Sequence, residues 1–164
     1  YNLAVTAKIL TVTDQSFSMV NNLISPYEPQ FDPHAFGRHG QIMDSWESGR
    51  HNPLPYDKVV LKLRFPTPIS FLSICTKYHN GNHTKAIIVR AKSNEEWITI
   101  VPKTKLDGHS RHLFRNLASN HVFTHVELQN YPDGGISRLG IFNNSLPARF
   151  SKQFPALRSD VIKI

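Results

Sequence analysis

Residues 132–138 read Pro-Asp-Gly-Gly-Ile-Ser-Arg and separate two short apolar runs, 125–128 and 139–142. Two glycines after Pro-Asp permit backbone angles that other residues resist, so the stretch predicts a tight turn between two strands. The turn carries a carboxylate, Asp133, and a guanidinium, Arg138. It therefore predicts a hairpin that aims both charged groups at one site.

Short apolar runs of the same kind recur along the chain between prolines and glycines. Alternation with period two is clearest at 59–63, where Val59, Leu61 and Leu63 are expected to share one buried face. Seven or more short strands with little helix predict an all-β protein with an antiparallel β-sandwich or jelly roll. The predicted strands are 4–12, 59–63, 69–74, 86–91, 97–101, 122–128 and 139–142, and the best helical candidate is 18–23.

The composition fits one globular domain, because 40% of the 164 residues are hydrophobic. We assign residues 1–143 to that domain. Residues 144–164 contain prolines and basic residues and predict a linker or docking tail. No run approaches the roughly 18 apolar residues of a membrane-spanning helix, so no membrane association is expected. The one cysteine, Cys75, excludes an intrachain disulfide and favours an intracellular compartment, the cytoplasm or nucleus.

The charge balance favours an anionic partner. Nineteen Lys and Arg against twelve Asp and Glu give a formal charge of +7. An acidic protein surface or a small anionic ligand fits this balance. Nucleic acid is a weaker alternative, because basic and aromatic residues alternate only briefly, at 77–79. Since the basic residues are scattered, a solvated surface without a specific partner is also open.

Two polar clusters lie upstream of the turn, at 43–52 (Met-Asp-Ser-Trp-Glu-Ser-Gly-Arg-His-Asn) and 78–83 (Tyr-His-Asn-Gly-Asn-His). With 132–138, in this order and at these spacings, they resemble the allantoicase repeat. The match to the family's Asp-Gly-Trp-Glu-Thr-Arg-Arg falls on Asp44, Trp46, Glu47 and Arg50. The likeness covers about residues 4–142 and is greatest for the first of the family's two tandem repeats. It implies a galactose-binding-domain-like jelly roll and hydrolysis of allantoate to ureidoglycolate and urea.

The resemblance also implies a site. Allantoate is an anion with two ureido groups, so its site needs a cation for the carboxylate and a group that transfers protons. No cofactor is expected. No metal is expected either, because the His79–His83 spacing falls on a turn rather than on a helix. The candidate catalytic residues are Asp44, Glu47, His83 and Asp133, and the candidate substrate-binding residues are Arg50, Asn82 and Arg138.

A structural role for the same charges is the alternative. Asp44 and Glu47 would then hold the long loop 21–50 through backbone amides, and Arg138 would pair with Asp133 across the hairpin.

Departures from the family pattern fall on charged positions. Gly49 and Cys75 stand where the family has an arginine and an aspartate, and Glu127 and Gly140 stand where arginines are usual. Glycine cannot replace the bidentate grip of an arginine on a carboxylate. We therefore expect a catalytically degenerate domain that acts as a protein-interaction or binding module within a larger protein or complex. The alternative is an active allantoicase, or its first repeat, in purine and allantoin degradation.

Overall fold

A computed structural model describes residues 2–38, 40–51, 53–116, 118, 120–144 and 159–163. Strands dominate these residues, and the helical segments are two short 3-10 helices, Leu3–Thr6 and Val20–Ile24. The strands in chain order are β1 Lys8–Val12, β2 Phe36–Gly37, β3 Gly40–Gln41, β4 Trp46–Glu47, β5 Asp57–Thr67, β6 Phe71–Cys75, β7 Ala86–Ser93, β8 Glu96–Lys105, β9 Ser110–Arg115, β10 Phe123–Tyr131, β11 Gly135–Ile136, β12 Arg138–Phe142 and β13 Ser159–Lys163.

Two antiparallel sheets form the sandwich. The first sheet has the order β1-β5-β10-β7-β8 and the second β12-β6-β9-β13, while β4–β11 and β2–β3 form two small ladders. The alternation at 59–63 is confirmed, since Val59, Leu61 and Leu63 are all buried. They pack in one core with residues of the second sheet such as Leu72 and Ile74. The predicted all-β sandwich is confirmed.

The predicted hairpin at 132–138 is wrong. β10 belongs to the first sheet and β12 to the second, so the stretch crosses from one sheet to the other instead of joining two paired strands. Glycine is still required at position 134, because its φ is +120° and a Cβ there would lie 2.9 Å from the Asn82 carbonyl oxygen. Turn-forming residues require a change of direction, and they do not determine which sheet the next strand joins.

Other segments also differ from the predicted elements, among them 4–12, 18–23 and β9. The run 4–12 divides into a 3-10 helix, Leu3–Thr6, and β1, and the helical candidate 18–23 is the 3-10 helix Val20–Ile24. Strand β9 was not predicted. Its inward positions include the polar residues Ser110 and His112, both fully buried, so the apolar alternation that marks the other strands is weak there.

The tail predicted at 144–164 includes one strand. β13 pairs antiparallel with β9 and extends the second sheet. Residues 145–158 lie outside the described residues, so the linker or docking role stays a prediction for them. In the described part of the chain, no helix is both long and apolar enough to cross a membrane.

Candidate functional site

The short ladder between β4 and β11 organises one end of the sandwich. Glu47 pairs with Gly135, and Trp46, which is fully buried, pairs with Ile136. The backbone of Glu47 also bonds to Ser18, while Gly135 N donates to the Asn82 carbonyl at 3.0 Å. Four segments distant in sequence therefore meet at β4 and β11.

Glu47 occupies the centre of this cluster. Its Oε1 accepts a hydrogen bond from Asn82 Nδ2 at 3.3 Å. Burial raises the pKa of the Glu47 carboxyl, and the Asn82 hydrogen bond and the positive charge of Arg50 oppose that rise. A half-buried carboxyl beside an amide and a guanidinium can exchange a proton nearer to neutral pH than an exposed glutamate can.

His79 lies next to this group, although the sequence analysis did not assign it to the site. It is fully buried, and its Nε2 is 2.8 Å from Ser45 Oγ. Burial lowers the pKa of His79 to about 4, with the neighbouring His83 contributing in the same direction, so the ring is neutral at neutral pH. A Cβ at Gly135 would lie 2.3 Å from His79 Cε1. The paired glycines at 134–135 were the sequence signal for this close approach.

Arg138 and Asp44 form a second contact, apart from Asp133. Arg138 Nη2 donates to Asp44 Oδ2 at 2.8 Å, and Nη1 donates to the Asp44 carbonyl at 2.9 Å. Nε donates to the Tyr27 carbonyl at 2.8 Å, and Nη1 also donates to the Ser137 carbonyl at 2.7 Å. Arg138 is 8% exposed. The guanidinium thus ties the long loop to the start of β12.

Asp133 contacts a different segment. Its Oδ2 accepts a hydrogen bond from His51 N at 3.3 Å. The alternative in which Arg138 pairs with Asp133 across a hairpin is therefore wrong, because β11 runs antiparallel to β4 and carries Arg138 to Asp44 instead.

The structure brings some of the predicted residues together and separates others. Glu47 interacts with both Asn82 and Arg50, and His83 lies close to His79 in the same cluster. Asp44 and Arg138 form their own pair. Among the residues that the structure describes, no three His, Cys, Asp or Glu side chains are grouped so that they could hold a metal ion.

A cavity adjoins the second contact. It has a volume of about 150 Å³ and lies between the 25–28 segment and the second sheet, where Arg111, Arg138 and Cys75 line it. Arg111 Nη2 donates to both carboxylate oxygens of Glu28 at 3.1 Å. Both guanidinium groups of the cavity are therefore already paired with carboxylates of the long loop.

The chain is similar to the members of one known family. A family model described as the allantoicase repeat matches residues 1–146. The chain belongs to the allantoicase family. Allantoicase of Saccharomyces cerevisiae is 33% identical over 154 residues, which are 85% of this chain and 45% of that protein.

Solved structures agree with this assignment. The crystal structure of Saccharomyces cerevisiae allantoicase matches this allantoicase-family chain with a TM-score of 0.73 and 29% identity, over 90% of this chain and 48% of the other. A family 32 carbohydrate-binding module of Streptococcus pneumoniae EndoD matches with a TM-score of 0.62 and 10% identity, over 88% of this chain and all of that one, which shows the shared fold alone. The chain spans about half the length of the allantoicases it matches.

Proposed function

We propose that this allantoicase-family domain is catalytically degenerate and acts as a binding module for an anionic partner. The observation that carries the proposal is the engagement of Arg138. Four hydrogen bonds join its guanidinium to Asp44, Tyr27 and Ser137, and the residue is 8% exposed. A substrate carboxylate would have to displace Asp44 and leave that charge without its partner, which is costly in a partly buried position. Arg138 therefore supports the loop rather than a substrate.

The environment of Gly49 supports the same proposal. Resemblance to the family places an arginine here, but the Gly49 N–H donates to Asp14 Oδ2 at 2.8 Å. A Cβ at position 49 would lie 3.1 Å from that oxygen. The position is thus filled by a backbone-to-carboxylate contact and supplies no cation. Of the two arginines assigned to substrate, Arg50 alone is exposed.

Cys75 removes a second charged group that the resemblance to the family leads us to expect. It stands where the family has an aspartate, and it is a buried free thiol on the cavity between Arg111 and Arg138. Cysteine lacks the carboxylate that an aspartate would supply there. The same buried thiol fits an intracellular location, which belongs to this proposal.

One observation favours the enzymatic alternative, an active allantoicase or its first repeat. Glu47 has a raised pKa and contacts Asn82, with Arg50 nearby. Hydrolases use carboxyl groups of this kind to transfer protons. In that alternative Glu47 assists the loss of urea, and Arg50 holds the carboxylate of allantoate.

Urea release from allantoate by the purified 164-residue chain tests the two roles. We expect no release above the rate without protein, and the same rate for the Glu47→Ala variant. Saccharomyces cerevisiae allantoicase in the same assay provides the positive control. Turnover that is lost in both Glu47→Ala and Arg50→Ala, with both variants still folded, would refute the binding role and establish the enzymatic one.

A further inference from the structure

One row of residues crosses the whole first sheet. Cross-strand pairing places one residue from each of the five strands side by side. In spatial order they are Lys8, Lys62, His125, Lys92 and Trp97. We call its three lysines the cation row, and His125 lies between Lys62 and Lys92. The lysines belong to β1, β5 and β7, so they are scattered in the sequence and brought together only in the folded sheet.

The cation row lies on the solvent side of the sheet. The next row along the strands includes Leu61, Val126 and Ala91, which are paired with one another and fully buried in the core. Since side chains alternate between the two faces of a strand, the cation row faces away from the core. Lys8 and Lys62 are exposed accordingly.

The row opposes the stability of the sheet. Like charges directly opposite each other on neighbouring strands are destabilising, and Lys8 faces Lys62. Burial is the main cause that lowers the pKa of His125, and the positive charges of Lys92 and Lys62 on either side lower it further. The ion pair on this row joins Lys92 to Glu95 at 3.2 Å, and the Glu95 side chain is 90% exposed. A surface carboxylate of that kind contributes little.

The neighbouring polar row behaves differently. Glu127 is buried there between Arg90 at 2.8 Å and Lys58 at 3.8 Å, so its charges are compensated within the fold. The cation row lacks a comparable buried carboxylate among the described residues. The charges of Lys8 and Lys62 are open to an acidic partner, while Lys92 has its side chain 24% exposed and shares its charge with the exposed Glu95.

We propose that the cation row is a docking surface for an acidic α-helical segment of a protein partner. Neighbouring strands are about 4.8 Å apart, and one turn of an α-helix rises about 5.4 Å. A helix lying across the strands can therefore place one carboxylate per turn over each successive strand. The flexible lysine side chains can accommodate the small difference between the helical rise per turn and the strand spacing. This proposal deepens the binding role given above by naming the surface and the partner's chemistry.

The aromatic residues of this face favour a protein over single-stranded nucleic acid. Nucleic-acid platforms stack bases on open aromatic rings. Here Arg90 lies over the Trp97 ring at 5.3 Å, and Lys103 lies over the Tyr131 ring at 4.3 Å. These cations cover the rings on which bases would stack, and they add to the positive charge of the face.

Binding of two labelled helical peptides by the full chain tests the surface. One peptide carries glutamates at positions i, i+4, i+7 and i+11, and the other has the same composition with the glutamates distributed around the helix. The Lys62→Gln/Lys92→Gln double variant removes two charges from the cation row. The matched Lys77→Gln/Lys85→Gln variant removes two charges from the loop 76–85 instead. Fluorescence anisotropy measures affinity, and thermal unfolding confirms that both variants fold.

We expect the striped peptide to bind more tightly than its rearranged partner and its affinity to fall as salt rises. The row variant should weaken binding about fivefold, and the loop variant less than twofold, because two surface contacts are worth roughly 1 kcal/mol together. Equal losses in the two variants, or equal binding of the two peptides, would overturn the proposal. So would a 12-residue oligouridylate that binds more tightly than the striped peptide and depends on the row. Urea release from allantoate would refute the binding role and leave this peptide result standing on its own.

Discussion

Replacing Arg138 by methionine tests whether this side chain supports the loop. The change keeps most of the apolar stem and removes the guanidinium, so Asp44 loses its counter-charge and the Tyr27 and Ser137 carbonyls lose a donor. Breaking one side of a buried ion pair costs about 3–5 kcal/mol. The Arg138 side chain is 10% exposed but that of Asp44 is 30% exposed, so water recovers part of this loss. We expect a decrease of about 3 kcal/mol in the free energy of unfolding.

The Arg111–Glu28 pair supplies a matched control. Its side chains are 36% and 64% exposed, so Arg111→Met should cost less than about 1 kcal/mol. Chemical denaturation followed by the fluorescence of buried Trp46 measures both variants, and a decrease of about 3 kcal/mol corresponds to a melting temperature roughly 10 °C lower. Limited proteolysis should also cut the 25–44 segment faster in Arg138→Met. If Arg138→Met costs no more than Arg111→Met, the guanidinium is free for a ligand and the degenerate role loses its main support.

Three further variants test the packing and the charges at the β4–β11 ladder. Gly135→Ala should lower the free energy of unfolding by about 2 kcal/mol, because the new methyl group meets the fully buried His79 ring. Gly140→Ala meets the edge of the half-buried Phe142 ring and should cost less than about 1 kcal/mol. Equal costs would contradict the close approach of Gly135 to His79. The pKa of His79 is lowered from 6.5 to about 4 in the folded chain, so on acidification the unfolded chain binds a proton at this residue before the folded chain does. The free energy of unfolding should therefore fall by up to about 3 kcal/mol as the pH drops from 6.5 to 4. In denaturation measured across that range His79→Gln should lack this loss, and an unchanged curve would count against a buried neutral ring. Burial raises the pKa of Glu47, so the folded chain binds this proton more tightly than the unfolded chain, and the free energy of unfolding falls as the pH rises through the folded pKa. Glu47→Gln should therefore be more stable than the unmodified chain at neutral pH. A less stable variant would show that the fold favours the ionised carboxylate.

Local patterns predicted the apolar strands β1, β5, β6, β7, β8, β10 and β12. The alternation at Val59, Leu61 and Leu63 follows from one buried face, which any sheet packed on one side requires, and no long-range information is needed to read it. β9 was not predicted because two of its buried positions hold Ser110 and His112, whose polar side chains form hydrogen bonds within the fold. The burial of such residues depends on partners that a local pattern does not contain.

The partners of the charged residues were less predictable. Arg138 was expected beside Asp133, five residues away on the same turn, yet it pairs with Asp44, which is 94 residues distant. That pairing follows from the crossing of residues 132–138 between sheets, and turn residues carry no signal for the crossing. The cation row is a similar case. Its lysines look scattered in the sequence because each belongs to a different strand, and only the register aligns them.

The β4–β11 ladder affects the order in which the molecule assembles. Its contacts join distant parts of the chain, since the bond from Gly134 N to Ser48 Oγ spans 86 residues and that from Asn82 to Glu47 spans 35. Closing such long loops is entropically costly until the two sheets have already brought their ends together. The ladder is only two residues long on each side, so few hydrogen bonds resist its opening. We therefore expect the amide hydrogens of β4 and β11 to exchange with solvent through local opening, and those of β5 and β10 to exchange only when the whole sandwich unfolds.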